Sequence, residues 1–298
     1  GAQGARCAQP GMKAKDRHMN PTVLYLGPAG THSHDAALRR FGARAVLVPC
    51  LSHHEIFARL CARGGRPRPL AVVPVENSSE GPVTQTLDQL ANHPGVGIRD
   101  SFSLPVAHHL LARPGTRLPD LQRICSHPQV LGQCRETLAR LLPRTELVPE
   151  SSTAVAALRA VQEAGTGALA SLAAARIHRL AVLRRNLQDS PRNVTRFFTL
   201  TAARVAAPGT RPPSRLRSLI YLVIGNRPGA LLHVLAPFDA SDINLTFIQS
   251  RPLPGRPWEY GFFIEAATDW RTPSARAAWQ LVRALSESGR QIGTYPVD

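Results

Sequence analysis

The N-terminal third of the chain alternates between short unbroken apolar runs and stretches in which apolar residues recur every three or four positions. The runs are Val23-Leu24-Tyr25-Leu26, Ala45 to Pro49 and Leu70-Ala71-Val72-Val73-Pro74-Val75. Each is bounded by turn residues, which predicts buried strands. The periodic stretches predict helices over Ser33 to Phe41, from Ser52 through Cys61, and from Val83 to Ala91; Ser52 with Glu55 three residues on reads as a capping box. A β-α-β-α-β-α order implies a mostly parallel sheet. Arg99 to Ala112 reads as an extended crossing interrupted by Pro105. The alternation then repeats with strands at Ile124–Ser126, Leu147-Val148 and Gly167–Ala170. The intervening helices run from Gln129 to Leu141, from the Ser151-Ser152-Thr153 cap through Glu163, and through His178. The chain returns by Val182 to Gln188 into one more strand, Asn193 to Leu200. Two α/β lobes joined by two crossings would leave a cleft between them.

A Pro/Gly-rich stretch, Ala206 to Pro213, marks a domain boundary. Beyond it the pattern predicts strand (Ser218–Ile224), helix (Gly229–Ala240), strand (Ile243–Arg251), strand (Glu259–Thr268), helix (Thr272–Ser286) and strand (Gln291–Pro296). That βαββαβ order is the ferredoxin-like plan. The expected organisation is an N-terminal disordered extension over 1–21 and a two-lobed domain over 22–203, followed by a linker over 204–216 and a small domain over 217–298. One lobe takes 22–104 and 190–203, the other 105–189. A domain of about 80 residues is small for independent stability, so pairing with a second copy is expected.

Composition narrows the function classes. The 298 residues carry a formal charge of +16, yet lysine occurs only at Lys13 and Lys15. The arginines are scattered and not interleaved with aromatics, which argues against a nucleic-acid groove and leaves a basic surface suited to anionic small molecules. The cysteines, Cys7, Cys50, Cys61, Cys125 and Cys134, are odd in number and form no Cys-x-x-Cys. Reduced thiols in a cytoplasmic protein are expected, with neither a disulfide scaffold nor a zinc site. No apolar run approaches the ~20 residues of a membrane helix.

Candidate chemistry clusters at strand ends. Gly27-Pro28-Ala29-Gly30-Thr31 joins a strand to a helix N-terminus, where free backbone N–H groups can meet an anion, although the Gly-Lys-Ser/Thr ending of a P-loop is missing and a plain tight turn fits as well. Glu76-Asn77-Ser78-Ser79-Glu80-Gly81 follows a strand at its carboxyl end, where open α/β sheets place ligands. Thr195 and Arg196 stand side by side on a strand; successive strand residues face opposite sides, so both reach one ligand only at a strand end, a bend or a cleft rim. Thr-Arg-Phe alone reads first as a solvent-facing Thr beside an Arg paired with an acid. The histidine pairs His32/His34, His53-His54 and His108-His109 lack a third ligand at metal spacing. Ser126-His127 has no Gly-x-Ser-x-Gly, so a hydrolase is not indicated.

Five stretches in order, Leu26-Gly27-Pro28-Ala29-Gly30-Thr31-His32-Ser33, Val73-Pro74-Val75-Glu76-Asn77-Ser78-Ser79-Glu80-Gly81, Ser126-His127-Pro128-Gln129, Asn193-Val194-Thr195-Arg196-Phe197 and Gln249-Ser250-Arg251-Pro252, resemble prephenate dehydratase with its C-terminal ACT regulatory domain. The resemblance runs from about Val23 to Tyr295 and implies a periplasmic-binding-protein-like catalytic domain. It implies conversion of prephenate to phenylpyruvate, carbon dioxide and water in phenylalanine biosynthesis, with no cofactor or metal. Thr195, Arg196, Glu76 and Asn77 take the catalytic positions: Thr195 donates to the departing hydroxyl, Arg196 forks onto a carboxylate, and Glu76 is a rival general acid. Thr31, Ser33, Ser78, Thr86, Ser126, Gln133 and Phe197 are implied to bind substrate. An amino-acid effector, phenylalanine, is implied at Asn226, Pro228, Gly229, Ala230, Leu231, Asn244, Gln249, Ser250 and Arg251, in a homodimer or homotetramer. Two positions depart from the family: Gln249 stands where Glu is usual, and His32 where Phe or Tyr is. Arogenate is the close substrate variant. A non-catalytic carboxylate or amino-acid sensor is the alternative of a different class.

Overall fold

A computed structural model describes residues 20–62, 67–190, 192–202 and 216–298. The expected extension falls almost wholly, and the expected linker all but Leu216, outside the described residues. The chain is an α/β protein built on three sheets.

The first sheet takes β1 (Thr22–Leu26), β2 (Val46–Cys50), β3 (Leu70–Asn77), the short β4 (Gly81–Pro82) and β5 (Gly97–Pro105), with α1 (His32–Phe41), α2 (His53–Cys61) and α3 (Thr84–Asn92) between them. The second takes β6 (His109–Ala112), β7 (Arg123–Ser126), β8 (Glu146–Pro149), β9 (Thr166–Ala170) and β10 (Ala181–Arg184), with α4 (Pro128–Gln133), α5 (Arg135–Leu141), α6 (Thr153–Gln162) and α7 (Leu172–Ile177). The chain then recrosses, and β11 (Val194–Thr201) inserts between β3 and β5 of the first sheet, whose order is β2-β1-β3-β11-β5. β2, β1 and β3 run parallel, but β11 is antiparallel to both neighbours, so the sheet is mixed. That insertion brings Thr195 level with Asn77 and Arg196 level with Glu76.

Local sequence explains the helix starts. Thr31, Ser52, Ser152 and Ser171 each accept from a backbone N–H of the first turn and cap α1, α2, α6 and α7. Glu55 completes the reciprocal contact by accepting from Leu51 N–H, one residue before the cap. The single helix expected from Gln129 to Leu141 is two, broken at Cys134 (φ −116°, ψ 9°) just after Gly132. The break frees Gln133 at the end of α4 to turn toward the cleft.

The third sheet, β13-β14-β12-β15, holds β12 (Leu216–Val223), β13 (Leu245–Leu253), β14 (Arg256–Ala266) and β15 (Ser288–Pro296), with α8 (Ala230–Asp239) and α9 (Pro273–Ala284). One face packs on its two helices through Ile220, Leu222, Val234, Phe238 and Ile264. Its other face shares a core with the first sheet, where Leu219, Phe263, Ile292 and Tyr295 meet Ile98, Phe198 and Leu200. Covering that second face is how so small a unit buries enough apolar surface within one chain. Arginines tie the seam. Arg251 forks onto Asp88 of α3 at 2.7 Å to each oxygen. Arg290 donates to the Leu90 and Ala91 carbonyls at the end of the same helix.

Candidate active site

Between the first and second sheets lies a cleft of about 380 Å³. Strand β11 lends it alternate residues: Thr195 and Phe197 face the cleft, whereas Arg196 and Phe198 face the third sheet. Asn77 and Glu80 arrive from the end of β3, Thr31, His32 and Ser33 from the start of α1, and His108 from the crossing. The second sheet contributes His127, Gln133 and the cap of α6, Ser151-Ser152-Thr153.

The hydrogen bonds fix how these groups point. The Asn77 carbonyl accepts from the backbone N–H groups of Ser79 and Glu80, at 2.9 and 3.2 Å. Its amide nitrogen therefore donates, to Asn193 Oδ1 at 2.7 Å and to Thr195 Oγ1 at 2.9 Å. With a lone pair of its oxygen engaged by that donor, the Thr195 hydroxyl has its proton free to offer into the cleft. The chain continues across the cleft, with Asn193 Nδ2 donating to Gln133 Oε1 (3.2 Å) and Gln133 Nε2 to Glu80 Oε1 (2.7 Å). His108 Nε2, 2.8 Å from the same Gln133 oxygen, carries the proton there. Burial lowers the pKa of His108, and burial with the neighbouring His108, His109 and Arg39 brings His32 down to about 3. Both rings are thus neutral at pH 7 and meet edge to face at 5.3 Å.

No arginine or lysine lines the cleft among the described residues. The groups suited to an anion there are helix N-termini: α1 from the first sheet and α6 from the second both open onto the cleft, and such ends attract carboxylates. Among the described residues no three His, Cys, Asp or Glu side chains gather as a metal site would require.

Several expected site residues lie elsewhere. Arg196, expected to fork onto a carboxylate of the substrate, points away from the cleft because of strand parity. Its Nη1 lies 2.8 Å from both oxygens of Glu265, its Nη2 3.1 Å from Glu76, and its guanidinium covers the rings of Phe198 and Phe247. Glu76 shares that rear face and does not line the cleft. Ser126 is buried and donates to the Leu169 carbonyl, Thr86 is buried and donates to Pro74, and Ser78 is exposed and ties Arg192 to Val194. In contrast Thr31, Ser33, Asn77, Gln133, Thr195 and Phe197 do line the cleft. Glu80, Asn193, His108 and the α6 cap were not singled out as site residues by sequence reasoning. Glu80 and Asn193 stand at the edges of stretches that carried the resemblance, a signal that was legible.

Of the expected effector residues, Asn226 to Leu231 surround the start of α8, where Gly229 takes a left-handed φ of 75°. Asn244 borders a separate hollow of about 390 Å³ beyond the other end of that helix. Gln249 donates to the Ser250 carbonyl and so keeps within its own strand. Arg251, expected at the effector, is committed to Asp88.

The two sheets are pinned at Gly30. Ser171 Oγ donates to the Gly30 carbonyl at 2.7 Å, and a Cβ on Gly30, at φ 93°, would sit 3.3 Å from the Ala174 Cα and Cβ. Gly30→Ala should therefore destabilise the protein by about 1–3 kcal/mol, read from urea unfolding.

A polar cleft with the Thr195 hydroxyl on its wall and two helix N-termini opening onto it suits a protein that handles small carboxylates. A family model for prephenate dehydratase matches residues 23–204. The bifunctional chorismate mutase/prephenate dehydratase of Stutzerimonas stutzeri is 36% identical over 274 residues, which span 92% of this chain and 73% of that protein. The prephenate dehydratase from Arthrobacter aurescens, solved with L-Phe, superposes with a TM-score of 0.82 at 31% identity, covering 92% of this chain and 89% of that one. GqqA, described as a novel type of quorum quenching acylase, also superposes with a TM-score of 0.82, at 27% identity, covering 93% of this chain and 98% of that one. The chain belongs to the prephenate dehydratase family.

Proposed function

We propose that the chain converts prephenate to phenylpyruvate, carbon dioxide and water in the cleft, with the first and second sheets acting as two lobes of the periplasmic-binding-protein kind. The observation that carries this reading is the Asn77 amide donating to the Thr195 oxygen at 2.9 Å, which leaves the hydroxyl proton available to a ligand in the cleft. Prephenate brings two carboxylates, a ring hydroxyl and a cyclohexadiene. The N-termini of α1 and α6 grip the carboxylates from opposite sides. As the ring carboxylate leaves as carbon dioxide, the electrons of that carbon–carbon bond enter the ring and the C–O bond to the hydroxyl breaks. Aromaticity supplies the driving force. Thr195 stabilises the negative charge that develops on the departing oxygen, and solvent provides the proton that completes water. Glu76 takes no part as acid in this scheme because it lies behind the strand. Incubation with prephenate should produce phenylpyruvate, seen by its absorbance in alkali, and a parallel run with arogenate tests the substrate variant. A protein that binds prephenate without forming product is a sensor and refutes the proposal.

The third sheet with α8 and α9 is read as a ferredoxin-like ACT domain that binds phenylalanine. Within one copy the loop 226–231 and Asn244 lie at opposite ends of α8, about 15 Å of helix apart. This supports an effector site completed by a second copy, as dimer or tetramer. Calorimetry should register phenylalanine binding in the oligomer; no heat at millimolar phenylalanine refutes it.

A further inference from the structure

Thr195 and Asn77 face each other across β11 and β3 on the cleft side, and their chain neighbours Arg196 and Glu76 face each other on the rear. The front pair sets the donor geometry. The Arg196 of the rear pair is hydrogen-bonded to the third sheet through Glu265, which is 1% exposed on β14. Its carboxylate receives Arg196 Nη1 on both oxygens at 2.8 Å, the Tyr295 hydroxyl at 2.5 Å and the Thr246 hydroxyl at 2.7 Å. Those donors come from β11, β15 and β13. A single buried acid thus joins three strands of the third sheet to the strand that presents Thr195. The shared core explains why the sheets adhere; it does not explain a charge placed behind the reacting hydroxyl.

We propose that Glu265 is a positioning residue for the dehydration, holding Arg196 and through it the Thr195–Asn77 pair in register. The proposal rests on the reading of the cleft as the dehydration site. Arg196 anchors from behind in this arrangement and touches no substrate. A shift of the Arg196 backbone passes directly to Thr195, one peptide unit away, and misplacement of a donor by a fraction of an ångström lowers turnover more than binding.

The test compares two substitutions that rank oppositely under packing and under charge. Gln fits the Glu265 space without its charge; Asp keeps the charge and leaves a gap. Glu265→Gln should lower kcat for prephenate about tenfold with KM within about twofold, while Glu265→Asp keeps kcat within about threefold of the parent. Thermal melts and gel filtration establish that each variant is folded at the assay temperature. A Glu265→Gln turnover within twofold of the parent, or Asp worse than Gln, overturns the proposal. Should Glu265→Gln fail to fold, Tyr295→Phe removes one hydrogen bond to the same carboxylate and should lower kcat by about threefold; unchanged kcat overturns it. The parent protein assayed alongside separates the outcomes, since its failure to consume prephenate refutes the dehydration reading and not the coupling.

Discussion

Thr195→Ala is expected to reduce turnover of prephenate by about 100-fold or more and to leave the fold intact. The reason lies in the direction of the lost proton. Asn77 donates to Thr195 Oγ1, and its own carbonyl is held by two backbone N–H groups, so the amide cannot rotate to replace the missing donor. Removing a preorganised donor from the site of developing oxyanion charge costs about 2.7–4 kcal/mol in other enzymes. The side chain is half-buried at the cleft wall and supports no apolar core, so the melting temperature should move little. Steady-state kinetics paired with a thermal melt checks both halves. A near-normal rate would remove Thr195 from the central role.

Arg196→Ala has the largest expected effect on stability, a loss of about 3–5 kcal/mol in chemical denaturation. It leaves Glu265 buried with two neutral donors and no counter-charge. Burial by itself raises the pKa of that carboxyl; the Arg196 charge and the hydrogen bonds from Tyr295, Arg196 and Thr246 outweigh burial and hold it below its usual value. Without the guanidinium the balance reverses, and the acid must take up a proton to remain buried. Arg196→Met combined with Glu265→Leu and Tyr295→Phe should recover part of the stability, because both charges and the buried hydroxyl that donates to the acid are replaced together by apolar groups. Recovered stability without recovered turnover is the combination expected of a positioning pair.

Both predictions turn on a parity that the sequence displayed in part. Alternation along Asn193 to Leu200 announced a strand, and strand geometry allowed Thr195 and Arg196 to share a ligand only at a strand end, a bend or a cleft rim. What the local pattern did not contain was the neighbour behind the strand. The third sheet could be recognised from its βαββαβ rhythm, yet its docking on the first sheet depends on Leu219, Phe263, Ile292 and Tyr295 meeting residues far away in sequence. Arg251 shows the same limit. Its place in a recognisable motif suggested a ligand, whereas its partner is Asp88, 163 positions away. Two caps were legible because their causes are local: Ser52 and Ser152 each bond within the next three residues. The break at Cys134 was missed because a glycine near a helix end signals only weakly, and the bonds that reward the break, from Gln133 to Glu80 and Asn193, form across the cleft.

The seam between the first and third sheets bears on how such a protein can be rebuilt. Leu219, Phe263 and Tyr295 are as deeply interred there as any residue of the central layers. Expressing the N-terminal portion alone would uncover Ile98, Phe198 and Leu200 as one oily face, which invites clumping in the cell. The C-terminal unit is therefore no detachable cartridge: transplanting its counterpart from a relative means transplanting the surface on which it is seated.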